Sequence, residues 1–300
     1  MPSSKRVGVI GSTGQLGTDL LEVLSAAPWC EVTPITHDQL EVADPEQAMS
    51  VLGGGRFDAV INCAAFHRVD DCEEQVDEAF RINARGALAV ARACAAGNAL
   101  CVFISTDYVF GGDRGRYNEE DRTVPVNVYG ASKVAGELLV QQACPRALLV
   151  RISSVFGKAG ARGKGGNFIE AILKKAAAGG PVQVVNDSWM SPTYTMDAAE
   201  TIAELIQADA TGLFHASNAG RCSWWEFASE AVRRVGLDVP VEPTSSDAYP
   251  SKARRPRDAS LEGTRLPAVL GHGTRPWQEA LGAYLLEKGH IPAVGSGYPR

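Results

Sequence analysis

Tyr129 and Lys133 stand four positions apart, so in a helix they share one face. A free phenol titrates at about pH 10 and exchanges protons poorly at neutrality. An ammonium one turn away favours the phenolate, which predicts a lowered phenol pKa suited to general acid–base work. Upstream, the apolar run Ala99 to Ser105 ends in Ser105-Thr106, and a hydroxyl at such a strand end can grip a carbonyl oxygen. A lone Tyr–Lys pair is ordinarily a surface feature. Here it gains meaning from the order of what precedes it, a glycine turn and then a Ser-Thr strand end.

The glycine turn is Gly11-Ser12-Thr13-Gly14-Gln15-Leu16-Gly17, between the apolar stretch Val7 to Ile10 and the helical pattern Gln15 to Ala26. Glycines there let the backbone approach a pyrophosphate, which then sits on the N–H groups and positive dipole end of the helix. Gly11, Thr13, Gly14, Gln15, Leu16 and Gly17 are therefore candidate cofactor contacts. An acid that reads the ribose belongs about 20 residues further on. His37, Asp38 and Glu41 stand there, and the absence of arginine from that loop favours NADH over NADPH.

These residues need a scaffold that brings strand ends together, and the rest of the pattern supplies one. Strands are expected at Val7 to Ile10, Glu31 to Thr36, Phe57 to Asn62, Ala99 to Ser105 and Ala147 to Ser153. Between them lie helices at Gln15 to Ala26, Pro45 to Leu52, Glu73 to Ala96 and Tyr129 to Ala143. Near-continuous apolar strands alternating with helices imply an α/β fold with a doubly wound parallel sheet of Rossmann type. The rhythm then loosens through a Gly-rich loop (Gly157 to Gly166), a helix at Phe168 to Ala178, the strand Val182 to Val185, and helices at Thr195 to Gln207 and Trp224 to Val235. This predicts a Rossmann domain over 1–155 with a returning element near 186–210. A smaller C-terminal substrate-binding lobe would take 156–185 and 211–300.

Composition narrows the function. With 300 residues, 45% hydrophobic and 21% charged, the chain is an ordinary globular protein with ample material for a core. A net charge of −6 offers no basic face for nucleic acid or an anionic membrane. The longest apolar stretches are strand-sized, and Met1 to Arg6 leads into a strand rather than a secretory apolar region, so a cytoplasmic location is expected. Seven cysteines without a Cys-x-x-Cys pair read as reduced, packed thiols, and five scattered histidines show no metal-ligand spacing.

Taken together, these motifs resemble the extended short-chain dehydrogenase/reductase superfamily and, within it, the dTDP-4-dehydrorhamnose reductase family. The likeness spans residues 5 to 265. It rests on the Gly11 to Gly17 turn, Asn62-Cys63-Ala64-Ala65-Phe66, Ser105-Thr106-Asp107-Tyr108-Val109-Phe110, and Asn127-Val128-Tyr129-Gly130 with Lys133 and Gly136-Glu137. Asn186-Asp187, Ser191-Pro192-Thr193 and Ala253-Arg254-Arg255-Pro256 are its later pieces. The resemblance implies NADH- or NADPH-dependent reduction of the C4 keto group of a nucleotide-diphosphate 6-deoxy-4-keto sugar. Thr106, Tyr129 and Lys133 fall on its catalytic positions, and Glu41, Val42, Ala64, Ala65, Phe66 and His67 join the cofactor set with Tyr129 and Lys133. Ser105, Asp107, Ser154, Asn167, Asp187, Trp189, Arg254 and Arg255 are the candidate substrate contacts. The basic stretch 252–257 suits a diphosphate on its own chemistry, with four cations in six residues. A monomer or homodimer with a nucleotide-sugar substrate is the implied working form, with no metal, nucleic acid or membrane partner.

Three positions depart from the family pattern. Ser154 stands where the family has a tryptophan lining the sugar pocket, Trp189 stands where it has a smaller or different residue, and Ala259 replaces a serine. Two alternatives keep the same fold. An epimerase or dehydratase would need different acids, and here Thr106 is followed by Asp107-Tyr108, without the Asp-Glu pair of dehydratases. A non-catalytic binding subunit, like the regulatory β-subunit of methionine adenosyltransferase, has no need of Thr106, Tyr129 and Lys133 together. Trp224-Trp225 and the acidic run Asp70 to Glu74 read as packing and as a favourable helix start.

Overall fold

Strands covered on both faces have no polar side to show, which is why the apolar runs become a buried parallel sheet. The computed structural model describes residues 4–160 and 166–292. The first part of the chain gives β1 (Lys5–Ile10), α1 (Gln15–Ala26), β2 (Cys30–Ile35), α2 (Pro45–Leu52) and β3 (Ala59–Asn62). There follow α3 (Val69–Glu74), α4 (Val76–Phe80), α5 (Ala87–Ala96), β4 (Leu100–Thr106), α6 (Val128–Ala143) and β5 (Ala147–Ile152). The chain then leaves the sheet for β6 (Val155–Phe156), α7 (Phe168–Ala177), β7 (Val182–Val185), β8 (Trp189–Met190) and β9 (Thr193–Tyr194). It returns as α8 (Thr195–Gln207) and β10 (Gly212–His215) before building β11 (Cys222–Ser223), α9 (Trp224–Val235), β12 (Val241–Thr244), α10 (Leu266–Leu270) and α11 (Trp277–Glu287).

The main sheet has six strands in the order β10-β5-β4-β3-β1-β2, all parallel. Leu20, Leu24, Ile202, Ile206 and Leu266 from α1, α8 and α10 bury one face against Val7, Val102 and Val150. Leu52, Val90, Cys94 and Val140 from α2, α5 and α6 cover the other, against Ile10, Phe103 and Leu149. The lobe has its own core, in which Phe156 meets Phe227 and Tyr284 edge-on at 5.2 and 5.4 Å. Trp224 and Trp225 pack as the sequence suggests. Trp224 stands edge-on to Phe168 at 4.7 Å, and the Trp225 indole donates to the Val241 carbonyl.

Two boundaries differ from the sequence expectation. The returning element does not stop near 210, because β10 extends the sheet by pairing with β5 and α10 adds Leu266 to its core. Residues 211–300 are thus divided between the two bodies. The single long helix expected from Glu73 to Ala96 is broken at Gln75 and again by a wide π turn over Arg81–Gly86. The π turn frees the Asn83 side chain for bonds outside the helix, as shown below. Of the Gly157 to Gly166 loop, 161–165 lie outside the described residues, as do the domain ends 1–3 and 293–300. All seven cysteine thiols are free. Among the described residues no helix is long and apolar enough to cross a membrane, and no His, Cys, Asp and Glu group is arranged to hold a metal.

Candidate active site

Parallel strands put all their carboxyl ends on one edge, and there the candidate residues gather. β1 lies between β2 and β3, so the order in which strands are added reverses at β1, and Gly11 leaves the sheet at that switch point. Gly11 has φ +73°, and a Cβ there would come within 3.3 Å of the Ala64 backbone nitrogen. A Cβ on Gly17 would overlap the Gly11 carbonyl oxygen. α1 begins after Gly14 with no side-chain cap, so its first N–H groups have no intrahelical partner. Beside them, the Ser12 hydroxyl and both polar atoms of the Gln15 amide are buried without a partner among the described residues. An uncapped helix start flanked by unpaired buried polar atoms fits a dinucleotide pyrophosphate. Thr13 is exposed at the turn, while the Leu16 side chain belongs to the core.

Asn83, which the sequence gave no reason to single out, organises the loop after β3. Its side chain accepts from Phe66 N at 2.8 Å and donates to Phe66 O at 3.0 Å and to the Ser132 hydroxyl at 2.9 Å. One amide thereby ties Ala64, Ala65, Phe66 and His67 to the helix that carries Tyr129 and Lys133. At the end of β2, His37 is exposed and Glu41 half-buried, while Val42 turns its side chain into the core. The β2 loop has no arginine of its own, but the π turn brings the Arg81 guanidinium to 3.6 Å from the Glu41 carboxylate. That guanidinium is held bidentately by Glu78, at 2.6 and 2.8 Å, so a cation stands beside the β2 loop although the loop itself carries no arginine.

Thr106 closes β4, and Tyr129 and Lys133 lie in the first two turns of α6, which Asn127 caps by accepting from Gly130 N at 2.8 Å. The Thr106 hydroxyl lies beside the Tyr129 phenol, whose ring stands edge-on to Tyr108 at 5.9 Å. Burial holds the phenol above its ordinary pKa, with the Thr106 hydroxyl pulling the other way. That reverses the expectation drawn from the Tyr–Lys spacing. Lys133 Nζ instead donates to Ile104 O at 2.7 Å and lies 3.9 Å from the centre of the Phe103 ring. Burial brings the lysine down to about 7, opposed by the negative charge of Glu137. A phenol that stays protonated at neutral pH is a proton donor, which is the form a carbonyl reduction requires.

Asp107 follows Thr106 and is buried, accepting from the Thr106 hydroxyl at 2.9 Å and from Ser153 at 2.7 Å. Burial raises it to about 6. Its folded-state pKa thus exceeds the unfolded value, so its stabilising contribution is full below about pH 4 and is lost as pH rises through about 6. Asp107→Asn should flatten the fall in stability between these limits, by up to roughly 3 kcal/mol, measured by denaturant unfolding at a series of pH values. Equal slopes in wild type and variant would show that the carboxyl titrates normally.

Several candidate substrate contacts are instead occupied by the protein. Ser105 faces inward and gives its hydroxyl to Glu137 at 2.5 Å. Asn167 caps α7 and donates to Gly157 O and the Tyr284 hydroxyl, so its hydrogen bonds are filled. Asp187 accepts from Ser245 and Ser246, pinning the turn after β12. Ser154 keeps its place after β5, half-buried, in a left-handed conformation (φ +43°) that non-glycine residues adopt under constraint. Trp189 lies under the Arg221 guanidinium at 4.8 Å, and Arg221 pairs with Asp258 at 2.6 Å. Ala259 is buried, and the adjacent Ser260 supplies a hydroxyl to Asp258 at 2.6 Å.

The basic stretch lies across α3. Lys252 pairs with Glu74, and Arg255 pairs with Asp70 at 3.0 Å and reaches the Tyr108 hydroxyl at 3.3 Å. Arg254 is exposed, and its carbonyl accepts from Asn127 at 2.9 Å. The acidic start of α3 therefore does more than favour a helix dipole. It docks these cations beside Tyr108 and Tyr129.

Comparison with known proteins agrees with this arrangement. The model of the RmlD substrate binding domain family matches residues 5–289. The spore coat polysaccharide biosynthesis protein SpsK of Bacillus subtilis is 37% identical over 94% of this chain and 98% of its own length. A dTDP-4-dehydrorhamnose reductase of Mycolicibacterium smegmatis is 36% identical over 93% of this chain and 84% of its own. Among solved structures, the dTDP-4-dehydrorhamnose reductase of Bacillus anthracis in complex with NADP superposes with a TM-score of 0.88 at 35% identity, covering 95% of this chain and 99% of that one. With a family model spanning nearly the whole chain and relatives above 30% identity over most of both chains, this protein belongs to the RmlD substrate binding domain family.

Proposed function

We propose that this protein is an NADH- or NADPH-dependent oxidoreductase that reduces the C4 keto group of a dTDP-linked 6-deoxy-4-keto sugar. The observation that carries the proposal is the placement of the Thr106 hydroxyl beside the Tyr129 phenol, with Lys133 one turn along α6 and the uncapped start of α1 on the same sheet edge. The names of the relatives support the substrate class. A reduced nicotinamide bound along this edge supplies the hydride received by C4. Tyr129, protonated because it is buried, gives its proton to the oxygen as charge develops there. Thr106, turning its single hydroxyl proton from Asp107, donates a second hydrogen bond to that oxygen, and the Lys133 ammonium stabilises the phenolate left behind.

Around the chemistry, Gly11 to Gly17 would hold the pyrophosphate and the 64–67 loop would border the nicotinamide ribose. Glu41 and Arg81 together offer a partner for a ribose hydroxyl and for a 2′-phosphate, which is compatible with either dinucleotide. Arg254 and Arg255 are the groups we assign to the sugar-nucleotide diphosphate, with Arg255 exchanging Asp70 for phosphate. The test is oxidation of NADH and NADPH by the purified protein with dTDP-4-dehydrorhamnose. Oxidation that depends on both the sugar nucleotide and the enzyme, with one product formed per cofactor consumed, is the expected result. Cofactor binding without turnover would overturn the substrate assignment.

A further inference from the structure

Glu137, one turn beyond Lys133 on α6, has no part in the mechanism above, yet it is among the most heavily bonded side chains of the site. It is buried, and Arg151 of β5 holds it bidentately, at 2.8 Å through Nε and 2.7 Å through Nη2. The carboxylate oxygen bound by Nε also accepts the Ser105 hydroxyl at 2.5 Å. Arg151 is fixed in turn, lying 5.0 Å from the centre of the Phe110 ring and 3.4 Å from His215 Nε2. One carboxylate thus joins the end of β4, the middle of α6 and the end of β5.

We infer that Glu137 is a positioning residue of the reduction, fixing Thr106 beside Tyr129 through Ser105 and setting a negative charge one helical turn from the buried Lys133 amine. The inference rests on the reductase reading above. Its geometric part follows from connectivity. Ser105 precedes Thr106 in the strand, and Glu137 follows Lys133 by one turn, so the Ser105–Glu137 bond sets the distance between the two halves of the catalytic group. Its electrostatic part follows from what surrounds the lysine. Cys63 faces Lys133 from the end of β3, but burial pushes its thiol up to about 12, so it stays neutral. Tyr129, on the same helix face, is neutral for the reason already given. His215, beyond Arg151, is pushed down to about 4 by burial and carries no charge at neutral pH. Glu137 is the charge that opposes the desolvation of Lys133, and Arg151 holds it in place bidentately.

The direct test follows the Lys133 amine without substrate, through the 13Cε resonance of labelled lysine, assigned by its loss in Lys133→Met. Glu137→Gln should move the titration midpoint of Lys133 down by about one pH unit or more, and Glu137→Asp should restore most of it. Should Gln fail to fold beside an unpaired Arg151, the double variant Glu137→Leu/Arg151→Met leaves no unpaired buried charge and should still move the midpoint down. A midpoint unchanged in a folded variant overturns the electrostatic role. In the turnover assay, the alkaline limb of kcat/KM should fall to lower pH with the amine, because the active ammonium is lost earlier. A titration that moves while the rate profile stays in place overturns the role in the reaction. The amine titration needs no turnover, so it decides the electrostatic role of Glu137 even if the substrate assignment fails.

Discussion

Tyr129→Phe is expected to lower turnover by roughly 10²- to 10⁴-fold while leaving cofactor affinity nearly unchanged. The variant deletes one oxygen. The ring keeps its edge-on contact with Tyr108, and the cofactor contacts proposed at α1 and after β3 are untouched. What disappears is the proton that the developing oxyanion takes up. Thr106 keeps its bond to Asp107, so the residual activity of the variant measures what Thr106 and Lys133 stabilise alone. The measurement is kcat for wild type and variant beside cofactor titration by fluorescence. Full activity in the variant would remove Tyr129 from the mechanism, whereas a matching loss of cofactor affinity would give it a binding role.

Lys133→Met should weaken both turnover and cofactor binding, because Lys133 stands in the catalytic and the cofactor sets alike and one ammonium can serve the phenolate and hydrogen-bond a nicotinamide ribose. Methionine fills similar volume and removes a buried charge, so the fold should survive the change. A fall in kcat of at least about 10²-fold is expected, together with a rise in cofactor Kd that Tyr129→Phe does not share. Paired measurement of Kd and kcat in the two variants separates the roles. If Lys133→Met bound the cofactor like wild type, the ribose contact would not exist, and the lysine would act through Tyr129 alone.

Much of this site is legible in the sequence because its parts are local. The glycine turn, the Ser-Thr strand end and the Tyr–Lys spacing each occupy a few consecutive residues, and the alternation of apolar strands with helices puts them on one edge. Helices such as Gln15–Ala26, Pro45–Leu52 and Trp224–Val235 begin and end where Gly14, Asp44, Ser223 and Gly236 mark them. The hidden parts are long-range. Ser105, Asn167 and Asp187 entered as substrate contacts through the family resemblance, but here they bond to partners 32, 117 and 59 positions away. Asn83 was invisible for a related reason. In an alanine-rich helix it looks like a poor helix former, and only the π turn shows that its amide serves Phe66. The direction of the Tyr129 pKa also escaped the sequence, since spacing reports a neighbouring charge but not the burial that outweighs it.

The late return of the chain to its sheet also bears on how the protein must be made. β10 covers the open side of β5 only after residues 153–211 have been placed, and α10 completes that core later still. Until then an apolar strand offers unpaired N–H and C=O groups to any other chain, the circumstance in which edge-to-edge aggregation starts. The closing contacts span long sequence separations, so folding is slow relative to the local helices. A fragment ending after β5, however complete its glycine turn and its Tyr129–Lys133 pair, would keep that edge open and should be recovered as aggregate.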